Sequence, residues 1–227
     1  MKVSVITTAY DEEKNITPLH ERIKKAMNGI DYEVVAVDDG STDNTYNELR
    51  GIRDRRVKII RMNEHRGKCF ALHMGISKSS GEIIATIDAD GQNDPGDIPG
   101  MVKELEKGYD CICGWRYHRK DTMVKRISSK MGNFFNNMFM DLNLHDNNCP
   151  VKVFKRHCVA RIRYFDNFHR FIPILIKIQG FKIREYKVRH YPRIHGVSKY
   201  GIRNRIFGNI KTIFIVKLKH KELIKCN

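Results

Sequence analysis

Apolar positions along the first half of the chain switch repeatedly between two periods. Continuous apolar runs, the mark of strands buried on both faces, occur at "KVSVITTAY" (Lys2–Tyr10), "YEVVAVDDGS", "VKIIRMN", "EIIATIDAD" and "YDCICGWR". Between them lie stretches of helical spacing. "NITPLHERIKKAMNGI" places Ile16, Leu19, Ile23 and Met27 on one face. "STDNTYNELRGI" begins with N-cap residues, "GKCFALHMGISKSSG" ends in a serine-glycine turn, and "DPGDIPGMVKELEKG" opens with proline turn chemistry. Strands alternating with helices predict an α/β fold, a mostly parallel sheet covered on both sides, with ligands at the carboxyl ends of the strands.

The second half reads differently. "TMVKRISSKMGNFFNNMFMD" puts Val124, Ile127, Met131, Phe134, Phe135 and Met138 on one helical stripe, suited to core packing or to a lipid chain. "FIPILIKIQGFKIREYKVRHYPR" reads as helix, glycine turn and strand. "IRNRIFGNIKTIFIVKLKHKELIK" is an amphipathic helix flanked by basic residues, a pattern of interfacial helices. We therefore expect a domain over residues 1–201 and a membrane-associating or packing segment over 202–227.

Charge sharpens this division. Net charge is +16 over 227 residues, but residues 1–110 hold 16 Lys and Arg against 20 Asp and Glu (net −4), whereas 111–227 hold 26 against 6 (net +20). An asymmetry of this size predicts an anionic partner for the basic half, such as an anionic membrane surface. Nucleic acid is not expected, since no recognisable binding motif accompanies the charge and the acidic half would repel a phosphate backbone. The chain opens on a strand pattern without a signal-peptide layout, and no apolar run reaches the ~20 residues of a membrane span. The six cysteines form no CxxC pair, and Cys111 and Cys113, about 6.6 Å apart in extended backbone, are read as reduced thiols.

Candidate chemistry concentrates at two predicted strand ends. "VDDGSTD" places Asp38, Asp39 and Asp43 after the second strand, where a carboxylate can accept hydrogen bonds from a ribose or base, or simply build an Asx turn. "DADGQNDP" places Asp88 and Asp90 at i and i+2, with Gln92 continuing the row. Two carboxylates and an amide oxygen on one side make a hard oxygen site suited to Mg²⁺ or Mn²⁺, completed by water and substrate phosphate. The spacings of His145, His169, His190 and His195 fit no usual zinc pattern.

Seven segments in order, "VITTAYDEEKNI", "EVVAVDDGSTDNT", "GEIIATIDADGQNDPGDIP", "GWR", "KRISSKMGN", "RFIPILIKIQGFKIREYKVRHYPR" and "HGVSKYG", resemble glycosyltransferase family 2, on its polyprenyl-phosphate branch typified by dolichyl-phosphate mannose synthase. The resemblance implies a single Rossmann-like GT-A domain. It implies a nucleotide-sugar donor, with GDP-mannose favoured, and inverting transfer to a polyprenyl phosphate by an enzyme peripheral on the cytoplasmic membrane face. It also implies roles. Thr8, Tyr10, Glu12 and Asp39 would hold the nucleoside, with Val37 beneath the base, and Asp88 and Ala89 would line the donor site. Asp90 and Gln92 would ligate the metal. Arg116, Lys125, Arg126 and Ser129 would receive the acceptor phosphate, and Arg193, Ser198 and Lys199 would close over the diphosphate. Asp146 would touch substrate or simply cap its loop, or act as general base if the acceptor were instead a glycan or small-molecule hydroxyl. The chain departs from the family at "HDNNCPVK", where the usual pattern is "DTGCGLK"; proline at 150 there fixes φ and removes a backbone donor.

Overall fold

The computed structural model describes residues 1–117, 144–195 and 222–224. The stripe over 124–138 and nearly all of 202–227, including Cys226, lie outside the described residues. Within them the predicted alternation holds. The elements are β1 (Val3–Ala9), α1 (Glu13–Ala26), β2 (Tyr32–Asp38), α2 (Thr45–Gly51), β3 (Val57–Arg61), α3 (Lys68–Lys78), β4 (Ile83–Asp88), α4 (Ile98–Glu106), β5 (Cys111–Arg116), β6 (Lys152–Lys155), α5 (Phe168–Ile178) and β7 (Ile183–Val188).

Seven strands form one sheet in the order β3-β2-β1-β4-β6-β5-β7. β1 pairs in parallel with β2 and β4, β2 with β3, and β5 with β7. β6 alone runs antiparallel, wedged between β4 and β5. The sequence reading did not anticipate it: "KVFK" is four residues long with a lysine at each end, too short and too charged to stand out as an apolar run. Both faces of the sheet are covered. Val3, Val5, Ala85 and Ile112 pack with α1 and α4 on one side, while Ile6, Ile84 and Phe154 pack with α3 and α5 on the other. This two-sided burial explains why the central strands read as unbroken apolar runs.

One expectation shifts at α2. The helix begins at Thr45, because Ser41 and Thr42 bind a neighbouring loop rather than cap it. Ser41 Oγ accepts from the Asp11 backbone at 3.0 Å, the Thr42 backbone donates to Asp11 Oδ1 at 2.8 Å, and Thr45 Oγ1 accepts from the Glu12 backbone at 2.7 Å. Asp43 accepts from the Thr45 backbone at 2.9 Å, the Asx-turn role. The five described cysteines are free, as expected; the Cys111 and Cys113 sulfurs lie 3.8 Å apart in the core.

Candidate active site

The chain runs outward from β1 through β2 to β3, then returns to place β4 on the other side of β1. That reversal opens a crevice at the carboxyl ends of β1 and β4. A cleft of about 250 Å³ lies there. β1 delivers Thr8 and the turn residues Tyr10 and Glu12, β2 delivers Asp39, and β4 delivers Asp88, Ala89 and Asp90. The stitched loops described above fix Glu12. Asp39 is held by the Arg66 backbone N–H at 2.9 Å and by His65 Nδ1 at 3.0 Å. Burial pushes its carboxyl above the usual range, and those two contacts only partly oppose this. Gly40 makes the loop possible: its φ is +70°, and a Cβ there would meet the Glu64 backbone carbon at 2.5 Å.

Four lining residues have no role in the sequence reading. His65, Gly67 and Lys68 belong to "HRGK" between β3 and α3. The His65 ring stacks on Tyr10 with centroids 3.8 Å apart. Lys68 Nζ pairs closely with Asp88. Their sequence signal was their place, a basic and glycine-containing turn at a strand's carboxyl end. Ala9, the last residue of β1, completes the set.

Arg193 reaches the cleft from beyond β7. Arg189 brackets Asp97 and Asp94, Asn93 bridges His190, and the Tyr191 backbone donates to the Gln92 carbonyl at 2.8 Å. This strap presents Arg193 to Asp90 at 2.6 Å and to Glu12 at 3.1 Å. Burial raises the Asp90 carboxyl to about 6, the Asp88 charge adds to the rise, and Arg193 opposes it.

Several expectations change. Asp90 does not continue the strand; β4 ends at Asp88, and Asp90 sits in a turn, accepting from the Gln92 backbone N–H at 3.1 Å. The two carboxylates still meet at the cleft, but through a turn and not through strand alternation. Gln92 is not among the lining residues. Val37 is fully buried and packs toward α3 with Ile6, so it does not face the cleft. Arg116 and Asp146, neither of which lines the cleft, come together as a buried bidentate pair, Nε to Oδ2 at 2.6 Å and Nη2 to Oδ1 at 2.9 Å. Asp146 also accepts its place from Glu185, whose carboxylate binds the backbones of His145 and Asp146. Lys125, Arg126, Ser129, Ser198 and Lys199 lie outside the described residues.

An open α/β sheet with a charged crevice at its switch point defines a ligand-binding protein of the Rossmann-like class. The sequence profile of Glycosyl transferase family 2 matches residues 4–167, and the chain belongs to that family. It is 36% identical over 231 residues to a dodecaprenyl-phosphate galacturonate synthase of Rhizobium johnstonii, covering 96% of this chain and 68% of the relative. It is 33% identical over 205 residues to an undecaprenyl-phosphate 4-deoxy-4-formamido-L-arabinose transferase of Proteus mirabilis, covering 88% of this chain and 63% of the relative. The chain thus spans about two thirds of the length of these curated relatives. Its fold matches glucosyl-3-phosphoglycerate synthase of Mycobacterium tuberculosis with a TM-score of 0.72 at 17% identity, over 93% of this chain and 79% of that one. A structure of the same enzyme with Mn²⁺, UDP-glucose and phosphoglyceric acid matches at 0.69 and 16%, over 99% and 81%. The fold is the GT-A type.

Proposed function

We propose that this chain transfers a sugar from a nucleotide-diphosphate sugar to a polyprenyl phosphate at a membrane surface, with a divalent metal. Both relatives carry a polyprenyl phosphate in their names. They name galacturonate and a formamido-arabinose rather than mannose, and the structural neighbour was solved with UDP-glucose, so we favour a UDP-sugar over GDP-mannose. Among the described residues no helix is long and apolar enough to cross a membrane.

The observation that carries the reading is the cleft's charge. Glu12, Asp39, Asp88 and Asp90 line it against Lys68 and Arg193, a formal balance of −2. A diphosphate entering alone would be repelled. The hard oxygens of Asp88 and Asp90, which both line the cleft, fit Mg²⁺ or Mn²⁺. A bound ion would supply charge neutralisation on the departing diphosphate. The chain's own residues do the rest. Tyr10, braced by His65, with Thr8 and Asp39, holds the nucleoside. Lys68 and Arg193 place two cations at the diphosphate end, where a guanidinium fork suits phosphate oxygens. The acceptor phosphate is already anionic near neutral pH, so no general base is needed. One of its oxygens attacks the anomeric carbon, the bond to the diphosphate breaks with its electron pair leaving on the diphosphate, and configuration inverts. A hydroxyl acceptor would require a base, and Asp146 is committed to Arg116.

The test is transfer of radiolabelled sugar from UDP-sugars to undecaprenyl phosphate with Mn²⁺. Asp90→Ala is expected to lower turnover by about 10² or more. Near-normal turnover in that variant would remove the metal site from the mechanism. Label appearing on soluble sugars and not on the lipid would overturn the acceptor.

A further inference from the structure

The cleft accounts for the donor's nucleotide and diphosphate but leaves a second polar cluster unused. Lys152 opens β6 and is 3% exposed. Its ammonium donates to the Cys149 carbonyl, spending one of three N–H groups, and it makes no ion pair among the described residues. Burial holds it below lysine's ordinary range. Lys68 pushes the same way, and Asp146 opposes only weakly. An interior cation without a carboxylate is rare enough to need a reason.

Strand register locates it. Lys152 pairs with Thr86 of β4, and Asp88 lies two residues further along that strand. Alternation puts Thr86 and Asp88 on one face, and paired residues share a face, so Lys152 stands on the Asp88 side with its Cα about 8 Å from that of Asp88. His169, at the start of α5, reports the same convergence: burial first, then the charges of Lys68, Arg170 and Lys152, hold its imidazole well below the ordinary range.

A separate observation comes from the loop that leads into Lys152. Asn147 is fully buried, and neither its amide nitrogen nor its oxygen has a partner among the described residues. Native interiors seldom leave both ends of an amide unmet. Its neighbour Asp146 is already engaged by Arg116, which spends Nε and one terminal nitrogen on that carboxylate. The segment 146–152 therefore keeps unspent N–H donors on two buried side chains, and register sets one of them, Lys152, on the Asp88 side of the sheet.

We propose that Lys152 and Asn147 form a subsite for a substrate oxyanion, adjoining the cleft on the face of Asp88. The inference rests on the proposed transfer reaction, where two such groups arise: the carboxylate of a uronate donor, the sugar in one relative's name, and the phosphate of the lipid. An ammonium and an amide N–H recognise either one.

Titration of binding to the full chain, without turnover, separates the two sources. The probes are UDP-galacturonate against UDP-galactose, and undecaprenyl phosphate against undecaprenol in detergent micelles. Lys152→Met is expected to weaken one anionic probe by about tenfold or more while its neutral counterpart stays within about twofold; Lys152→Arg keeps most of the affinity. Loss on UDP-galacturonate assigns the sugar, and loss on undecaprenyl phosphate assigns the acceptor. Asn147→Leu provides an arm that does not depend on tolerating a change at the buried lysine. It removes an unmet amide, so its melting temperature should hold or rise while the same anionic probe binds more weakly. Unchanged affinity for both anionic probes in Lys152→Met and Asn147→Leu, or equal loss on the neutral counterparts, overturns the subsite. Failure of wild-type protein to bind UDP with Mn²⁺ would overturn the donor reading instead, whatever the variants do.

Discussion

The Arg116–Asp146 pair offers the sharpest quantitative test, because it decides whether Arg116 is a ligand for phosphate or a bracket for its own loop. Asp146→Ala deletes a carboxylate whose side chain is 2% exposed and takes an ionic partner from a guanidinium that is 11% exposed. Two unit charges about 4 Å apart attract by roughly 4 kcal/mol at an effective dielectric of about 20. Breaking a buried pair from one side costs about 3–5 kcal/mol, most of it the penalty of the charge left behind. Each kcal/mol moves the midpoint of a chain this size by about 2–4 °C, so the variant should melt about 6–20 °C below wild type. Arg116→Met with Asp146→Ala removes both charges and should recover most of that loss, since an apolar replacement of the pair is close to neutral. Thermal and urea unfolding measure both effects. The catalytic question is then asked at a temperature where every variant is folded. If Arg116 also receives the acceptor phosphate, Arg116→Met raises KM for undecaprenyl phosphate by about tenfold or more, whereas a bracket alone leaves KM near wild type. An Asp146→Ala protein melting within about 2 °C of wild type would refute the burial argument, as would a double variant no more stable than the single one.

Three further outcomes follow from the same structure. Burial raises the Glu33 carboxyl, but hydrogen bonds from Ser4 and Ser80 and the Lys2 charge outweigh it and bring it to about 2 instead of 4.5. A folded value below the unfolded one stabilises above about pH 4.5 and is lost as pH falls toward 2. Glu33→Gln should therefore cost up to about 3 kcal/mol at pH 7 in urea unfolding, with the gap narrowing below pH 4; a gap independent of pH would contradict this. Gly75→Ala places a Cβ 2.5 Å from Ile6 Cγ2 and 3.3 Å from Val37 Cγ2, so an overpacking cost of about 1–3 kcal/mol should exceed the helix gain of about 1 kcal/mol and lower the melting temperature; a rise would show that α3 shifts freely. Arg193→Met removes the cation that competes for Asp90 and Glu12, so calorimetry should find nucleotide-free Mn²⁺ binding tighter and UDP binding weaker. Mn²⁺ affinity equal to wild type would end the idea of competition.

Much of this architecture could be read before any coordinates, for a physical reason. Strands buried on both faces must be apolar throughout, so β1, β2 and β4 announced themselves, and the acids that ended them marked the crevice. The failures are equally physical. β6 hides because Lys152 is a buried polar residue in a four-residue strand, and local pattern cannot distinguish it from a surface lysine. The start of α2 was misplaced because Ser41 and Thr42 satisfy the loop at Asp11, about thirty residues away, a partner that helix-cap rules do not see. Extending strand alternation to Asp90 failed at a turn that Gly91 permits with φ +73°. Lys68 escaped notice because its role depends on Asp88, brought near by the sheet.

The polarity of the cleft is itself a tertiary property. Asp39, Asp88, Asp90 and Glu12 come from the half of the chain with net charge −4, and that half alone would give the cleft only Lys68, a formal −3. The missing cation arrives from 103 residues beyond Asp90, on a strap whose anchors all lie outside the cleft: Arg189 on Asp97 and Asp94, His190 on Asn93, Tyr191 on Gln92. Because those anchors do not involve Arg193, its side chain can change partners without releasing the strap. An arginine so placed neutralises two carboxylates. Under the proposed transfer reaction it would stay within the same crevice if a divalent ion took Asp90, and its guanidinium would then supply a second positive charge to the diphosphate.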